Sequence, residues 1–221
     1  MAKLRVHNIA ASLDGYAAGP DQGIDDPLGV GGTRLHEWVF ASDYGRRFGG
    51  GDAGPAPAGE PSLDDRVLAR GDENIGATIM GRNMFGPIRG PWGDEDWRGW
   101  WGPEPPYHHE VFVLTHHGHD PISMAGGTTF HFVTEGPEAA LEQAFAAAGG
   151  ADVRIGGGPA TIQQYMRAGL VDEINVAIVP LLLGAGERLF ANLDGAVDLY
   201  ECAEMACSDS VTHVLLTRKD G

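Results

Sequence analysis

Three short stretches combine glycine with groups that favour anions. VRIGGGPATIQQYM (Val153–Met166) runs from a β-branched strand through Gly156, Gly157 and Gly158 into a helix that Pro159 opens, with Ala160 and Thr161 in its first turn. A helix N-terminus presents unpaired backbone N–H groups and the positive end of the helix dipole, and glycine lets a phosphate reach the main chain. The plainer alternative is a tight corner. A second junction, IMGRNMFG (Ile79–Gly86), sets Gly81, Arg82 and Asn83 at a helix start. The planar fork of arginine suits a phosphate, and a ribose 2'-phosphate is what separates NADPH from NADH; otherwise Arg82 is an ordinary surface charge. A third, VLTHHGHD, places Thr115, His116 and His117 at a strand end, where hydroxyl and imidazole could hold the same phosphate. Three such sites in series predict one extended, doubly charged ligand.

Two carboxylates are candidates for substrate binding or proton transfer. Asp14 sits at the mouth of the first strand beside Gly15, although Asp-Gly is also a common turn pair. Glu37, in RLHEWVF, is the carboxylate of the first helix, and its neighbour Trp38 could anchor it as a surface residue. Trp92, Trp97, Trp100, Trp101 and Tyr107 form either an aromatic lid for a planar heterocycle or a packed loop. His108, His109, His116, His117 and His119 suggest a metal, but consecutive residues on a strand face opposite ways, so no metal site is expected. Arg34, Arg46, Arg47, Arg89 and Arg98 are the candidates for an anionic substrate group.

The elements that must position these residues alternate between strand and helix. Strands are predicted over Lys3–Ala11, Ile75–Met80, Glu110–Thr115, Thr128–Thr134 and Val153–Ile155 and in INVAIV, which is apolar on both faces as a central strand should be. Helices are predicted around Leu35–Ala41, from Ser62, after Gly81, from Pro137 and from Pro159. Leu199–Met205 and Val211–Thr217 read as an antiparallel hairpin at a sheet edge. Residues 45–61 lack periodicity and read as a mobile loop within a single domain spanning 1–221.

Composition narrows the chemistry further. With 15 basic and 31 acidic residues the net charge is −16, which repels nucleic acid and anionic membranes. The lysines are Lys3 and Lys219, so a pyridoxal Schiff base and a Walker-type phosphate lysine are excluded. Cys202 and Cys207 are too few for a zinc framework or a disulfide scaffold. The N-terminus lacks the apolar segment of a signal peptide and no apolar run could span a membrane, so a cytoplasmic protein is expected. GVGGTR and GAGERL do not have the G-x-G-x-x-G spacing of a Rossmann site.

NIAASLDGYAAG, IMGRNMFG, VFVLTHH and IGGGPATIQQYMRAGLVDEINVAIVPLLLGAGERLF occur in the order and spacing of the dihydrofolate reductase superfamily. They most closely resemble the C-terminal reductase domain of riboflavin-biosynthesis deaminase-reductases, over nearly the whole chain. The resemblance implies an α/β fold, a dihydrofolate reductase-like three-layer α-β-α arrangement with a central mixed, mostly parallel sheet and a C-terminal antiparallel hairpin. It implies NADPH across the C-terminal strand ends: Gly81, Arg82 and Asn83 at the phosphates, Thr115 and His116 beside the adenosine phosphate, Gly156–Gly158 at the pyrophosphate, and Ala11 and Ala18 bordering the nicotinamide. It also implies a cis peptide between Gly156 and Gly157, a homodimer, and reduction of 5-amino-6-(5-phosphoribosylamino)uracil or another small heterocyclic, carbonyl or imine substrate. Deamination is excluded, since the P-C-x-x-C element is missing. A pterin reductase and a non-catalytic NADPH-binding module stay open.

Overall fold

In the computed structural model, which describes residues 1–48, 60–86, 90–93 and 96–219, the strands assemble into a nine-stranded sheet and a two-stranded one. The strands are β1 (Leu4–Ser12), β2 (Tyr16–Ala18), β3 (Ile75–Gly81), β4 (Glu110–Leu114), β5 (Ile122–Ser123), β6 (Thr129–Val133), β7 (Asp152–Gly157), β8 (Glu173–Val179), β9 (Glu187–Arg188), β10 (Tyr200–Cys207) and β11 (Thr212–Arg218). The α-helices are α1 (Glu37–Ala41), α2 (Asp43–Phe48), α3 (Leu63–Asp72), α4 (Arg82–Phe85), α5 (Pro137–Ala148) and α6 (Pro159–Arg167). The large sheet runs β10-β11-β8-β1-β7-β3-β4-β6-β5. It is parallel from β8 to β6 and antiparallel at both margins.

Strand alternation divides the core between the two faces of this sheet. Leu4, Val6, Ile79, Phe112, Val153, Ile155, Ile174 and Val176 form one face. The apolar sides of α5 and α6 cover it: Ala140, Ala144 and Ala148 recur every fourth residue and let α5 seat closely, while Ile162, Tyr165 and Met166 fill in from α6. Burying such large side chains contributes about 1.5–3 kcal/mol each. The Tyr165 hydroxyl finds its acceptor in the Pro137 carbonyl at 2.7 Å, which links the last turn of α6 to the start of α5. On the other face Leu35, Trp38 and Leu68 meet Ala10, Ala177 and Val179 beneath α1 and α3. Beside them Phe85, Tyr107 and Phe130 pack on Met80, Val111 and Val113. The Ser62 hydroxyl caps α3 by accepting from the Asp65 N–H at 3.0 Å, as its position predicts.

The departures from the sequence reading are local. The first helix opens as a 3₁₀ turn, Gly32–His36, before α1, and α2 occupies the start of the segment expected to be a mobile loop; 49–59 lie outside the described residues. The short strands β2, β5 and β9 were not anticipated, because two or three residues carry no readable alternation. Cys202 and Cys207 are both exposed, as free thiols, on the edge strand β10. Among the described residues no helix is long and apolar enough to cross a membrane.

Candidate functional site

The sheet register sets three strand ends level with one another. Gly157 on β7 lies opposite Met80, Gly81 closes β3 opposite Leu114, and Thr115 follows directly at the end of β4. The three glycine- and arginine-bearing junctions are therefore neighbours at the C-terminal edge of the parallel strands, the usual ligand edge of open α/β sheets.

Their glycines serve different ends. A Cβ on Gly81 would stand 2.4 Å from Thr161 Oγ1, so the absence of a side chain at Gly81 lets α6 start against β3. Thr161 is buried, and its N–H donates to the Gly158 carbonyl at 3.0 Å. A Cβ on Gly156 or Gly157 would meet Met84 at 3.3 Å, and Gly157 has a φ of +128° that an L side chain rarely adopts. Gly158 stands apart. Its φ of −75° suits any residue, and no atom lies within 4 Å of where its Cβ would be, so the open approach to the main chain is at Gly158 and the exposed Ala160. The cis peptide joins Gly157 to Gly158, one residue later than expected. A register irregularity between Ile79 and Met80 carries β7 through Gly157, so the chain leaves the sheet later.

Arg82 faces the other side of this ledge. Its guanidinium carbon lies 3.5 Å from the centre of the Trp92 ring, and its Nε and Nη1 are buried without a hydrogen-bond partner. Burial alone pulls its pKa below the ordinary arginine value. Trp92 is fixed in turn, because its Nε1 donates to the His117 carbonyl at 2.8 Å. The Thr115 hydroxyl accepts from the His117 N–H at 3.1 Å and donates to the His117 carbonyl at 3.2 Å, so it shapes this turn. His116 is exposed beside it, and the Asn83 amide donates to Gln22 Oε1 at 3.1 Å, tying α4 to the loop after β2.

The two candidate acids have different surroundings. Asp14 Oδ1 accepts from Ser12 Oγ at 2.5 Å and the Leu183 N–H at 3.1 Å, and Oδ2 accepts from the Gly184 N–H at 2.7 Å. The Ser12 bond, with the two backbone donors, pulls its pKa down to about 2. Asp14 therefore stays ionised and pins the loop after β8 to the end of β1, beside the buried Ala11 and Ala18. Glu37 is exposed, because buried Trp38 turns α1 so that its neighbour faces solvent.

Arg188, which the sequence reading passed over, stands at the same turn. Its Nη1 donates to the Asp14 main-chain carbonyl at 3.1 Å, and its guanidinium lies 4.5 Å from the Tyr16 ring. The available signal was its place in GAGERLF, a part of the longest motif. Of the arginines singled out earlier, Arg34 is exposed and Arg46 is ion-paired with Asp43. Arg47 lies on α2, and Arg98 borders an open cavity of about 390 Å³ with Trp97 and Met124. Arg89 lies outside the described residues.

The aromatic segment is largely packing: Trp101 stacks on Phe130 with 18° between their planes, and Tyr107 is buried. The neighbouring histidines are dispersed. His109 Nε2 bonds to Thr78 Oγ1, while the His108 and His119 rings bond to the carbonyls of Gly126 and Asp120. Among the described residues no three His, Cys, Asp or Glu side chains gather as a metal site would require.

The model of the RibD C-terminal domain matches residues 5–210. The chain belongs to that family. A structure from Shewanella sp. PV-4 described as a riboflavin biosynthesis protein is similar over 100% of both chains, with 24% identity and a TM-score of 0.60. The dihydrofolate reductase of Enterococcus faecalis, solved with NADP(H), is similar over 99% of this chain and 97% of its own, with 15% identity and a TM-score of 0.51. The diaminohydroxyphosphoribosylaminopyrimidine deaminase/5-amino-6-(5-phosphoribosylamino)uracil reductase of Thermotoga maritima matches at 11% identity and a TM-score of 0.55; the match covers 99% of this chain and 57% of the bifunctional one. No curated protein sequence matches the chain. These likenesses carry the dihydrofolate reductase-like α/β fold, and the RibD C-terminal family supports an oxidoreductase.

The residues present fit an NADP(H) cofactor. Among the described residues Arg82 offers desolvated donors with no protein acceptor, and the main chain at Gly158 faces open space where a Cβ would otherwise stand.

Proposed function

We propose that this RibD-family chain is an NADPH-dependent reductase of the riboflavin pathway, acting on 5-amino-6-(5-phosphoribosylamino)uracil or a closely related small heterocycle. The observation that carries the reading is the alignment of the β7, β3 and β4 ends, with open main chain at Gly158 and the unpartnered Arg82 at its two sides. In this reading Gly156, Gly157, Gly158, Ala160 and Thr161 form the diphosphate ledge. Arg82 takes the 2'-phosphate, with Gly81 and Asn83 shaping the α4 start. Thr115, His116 and His117 border the adenosine side, and Ala11 and Ala18 flank the nicotinamide. The cofactor supplies a hydride for a carbonyl or imine carbon, and a proton completes the reduced product.

The protein's own contribution is placement and exclusion of water. Asp14 keeps the loops after β1 and β8 together and is a positioning residue, and Arg188 beside it is a candidate for an anionic substrate group. The exposed Glu37 argues against a pterin reductase, which needs a carboxylate inside the pocket.

The test is titration of the purified protein with NADPH and NADH, followed by NADPH oxidation with the phosphoribosylaminouracil substrate. NADPH should bind more tightly, and Arg82→Ala should cost NADPH alone about 1.5–3 kcal/mol, the worth of a charge-assisted contact. Equal affinity for both cofactors, or turnover undetectable with every heterocyclic acceptor tried, would overturn the reading.

A further inference from the structure

The stacking of Arg82 on Trp92 links two strand ends that the sequence presents as separate motifs. Trp92 packs edge-on against Phe85, Phe132 and His119, with ring centres 6.0, 5.0 and 4.9 Å away. Its Nε1 is spent on the His117 carbonyl, and His117 is held by the Thr115 hydroxyl. The indole is thus clamped by these neighbours, and one of its faces carries the guanidinium at 3.5 Å. A stacked guanidinium keeps its N–H groups in its own plane, so the contact fixes the cation without using any of its donors. Two nitrogens, Nε and Nη1, are withdrawn from water yet unpaired, a costly state that an anionic oxygen relieves.

Resting on the NADPH reading above, we infer that Trp92 is the positioning residue that sets the preference for NADPH over NADH. It holds Arg82 by the face, with the donors presented to the 2'-phosphate, and the relay Thr115–His117–Trp92 anchors that platform to the end of β4. The residue follows none of the three junctions and lies in a stretch that reads as irregular loop.

Dissociation constants for NADPH and NADH on the full chain test this, with Trp92→Leu, Trp92→Phe, Arg82→Lys, Arg82→Ala and the Trp92→Leu/Arg82→Ala pair. Trp92→Leu should weaken NADPH about tenfold and NADH less than about twofold. Trp92→Phe keeps a ring face and should retain most of the preference, whereas Arg82→Lys, which keeps the charge but not the planar stack, should lose it. In the Arg82→Ala background, adding Trp92→Leu should have almost no further effect on NADPH, because the two residues act as one unit. Should Trp92→Leu not fold, Trp92→Phe and Arg82→Lys carry the comparison. Equal losses for both cofactors, additive losses in the pair, or tighter NADPH binding by Trp92→Leu, which would mean that the indole blocks Arg82, each overturn the inference. A wild-type preference that survives Trp92→Leu overturns it alone, and a wild type without preference overturns it together with the cofactor reading.

Discussion

Adjacent glycines separate the two uses that a glycine triplet can have. At Gly158 an added methyl meets no atom of the described residues within 4 Å, and φ is −75°, so the substitution brings no clash with them and no left-handed backbone. The same methyl occupies the approach to the N-terminus of α6. If a diphosphate oxygen is held there by main-chain N–H groups, displacing it forfeits at least one charge-assisted hydrogen bond of about 1.5–3 kcal/mol, or roughly tenfold to a hundredfold in affinity. Gly157→Ala behaves differently: φ is +128° and Met84 Sδ is 3.3 Å from the new Cβ, so the change costs at least about 1 kcal/mol of stability before any ligand is added. Apo melting temperature and NADPH dissociation constant, measured on both variants, give the comparison. Gly158→Ala should lose affinity far more than stability, and Gly157→Ala should lose stability at least as clearly. Wild-type NADPH affinity in folded Gly158→Ala would refute the phosphate ledge outright, because a methyl cannot share that space with a bound oxygen.

Three further outcomes follow from particular contacts. Asp14→Asn should lower the melting temperature and kcat/KM but leave the pH profile of kcat unmoved, since a carboxyl with a pKa of about 2 is ionised throughout the assay range; a vanished alkaline-side limb would restore it as the proton source. Burial pushes His7 and His109 from 6.5 down to about 4, with the Arg5 and Arg154 charges adding to it respectively. The unfolded chain therefore takes up protons first, and their stability contribution, complete above pH 6.5, is lost as pH falls toward 4. Thermal melts should show that decline, and His7→Gln should flatten it; an unchanged slope in the variant would remove His7 as a cause. Finally, the exposed edge strand β10 and the exposed Leu13, Leu182 and Met205 give apolar surface for a second copy. Light scattering should report a homodimer, and a monomer at micromolar concentration would sink that expectation.

How much of this was legible depended on whether a residue's role is local or is set by the sheet. Element types for α5 and α6 followed from periodicity, because their apolar positions repeat at the helical period, and that of β8 followed from a short run apolar on both faces. The junctions at Gly81, Thr115 and Gly156–Gly158 were visible as strand-to-helix or strand-to-loop punctuation. Their adjacency was not, since it rests on β7, β3 and β4 being neighbours, which no local pattern encodes. The same limit explains what the sequence left open. Asp14 reads as an exposed turn acid until the loop after β8, 169 residues away along the chain, supplies two N–H donors to its carboxylate. Gly81 reads as a phosphate glycine until Thr161 is seen to fill the space above it. Trp92 reads in its own segment only as a lid or packing aromatic, because the groups that fix it come from elsewhere: His117 from the end of β4, Phe132 from β6 and Phe85 from α4. The acidic composition sharpens the point. In a chain with 15 basic and 31 acidic residues, cations seated on aromatic faces, as Arg82 and Arg188 are, stand out chemically only once their partners are known. Motif spacing therefore locates the ledge that a diphosphate would use, whereas the proposed selectivity between cofactors rests on long-range packing around one guanidinium.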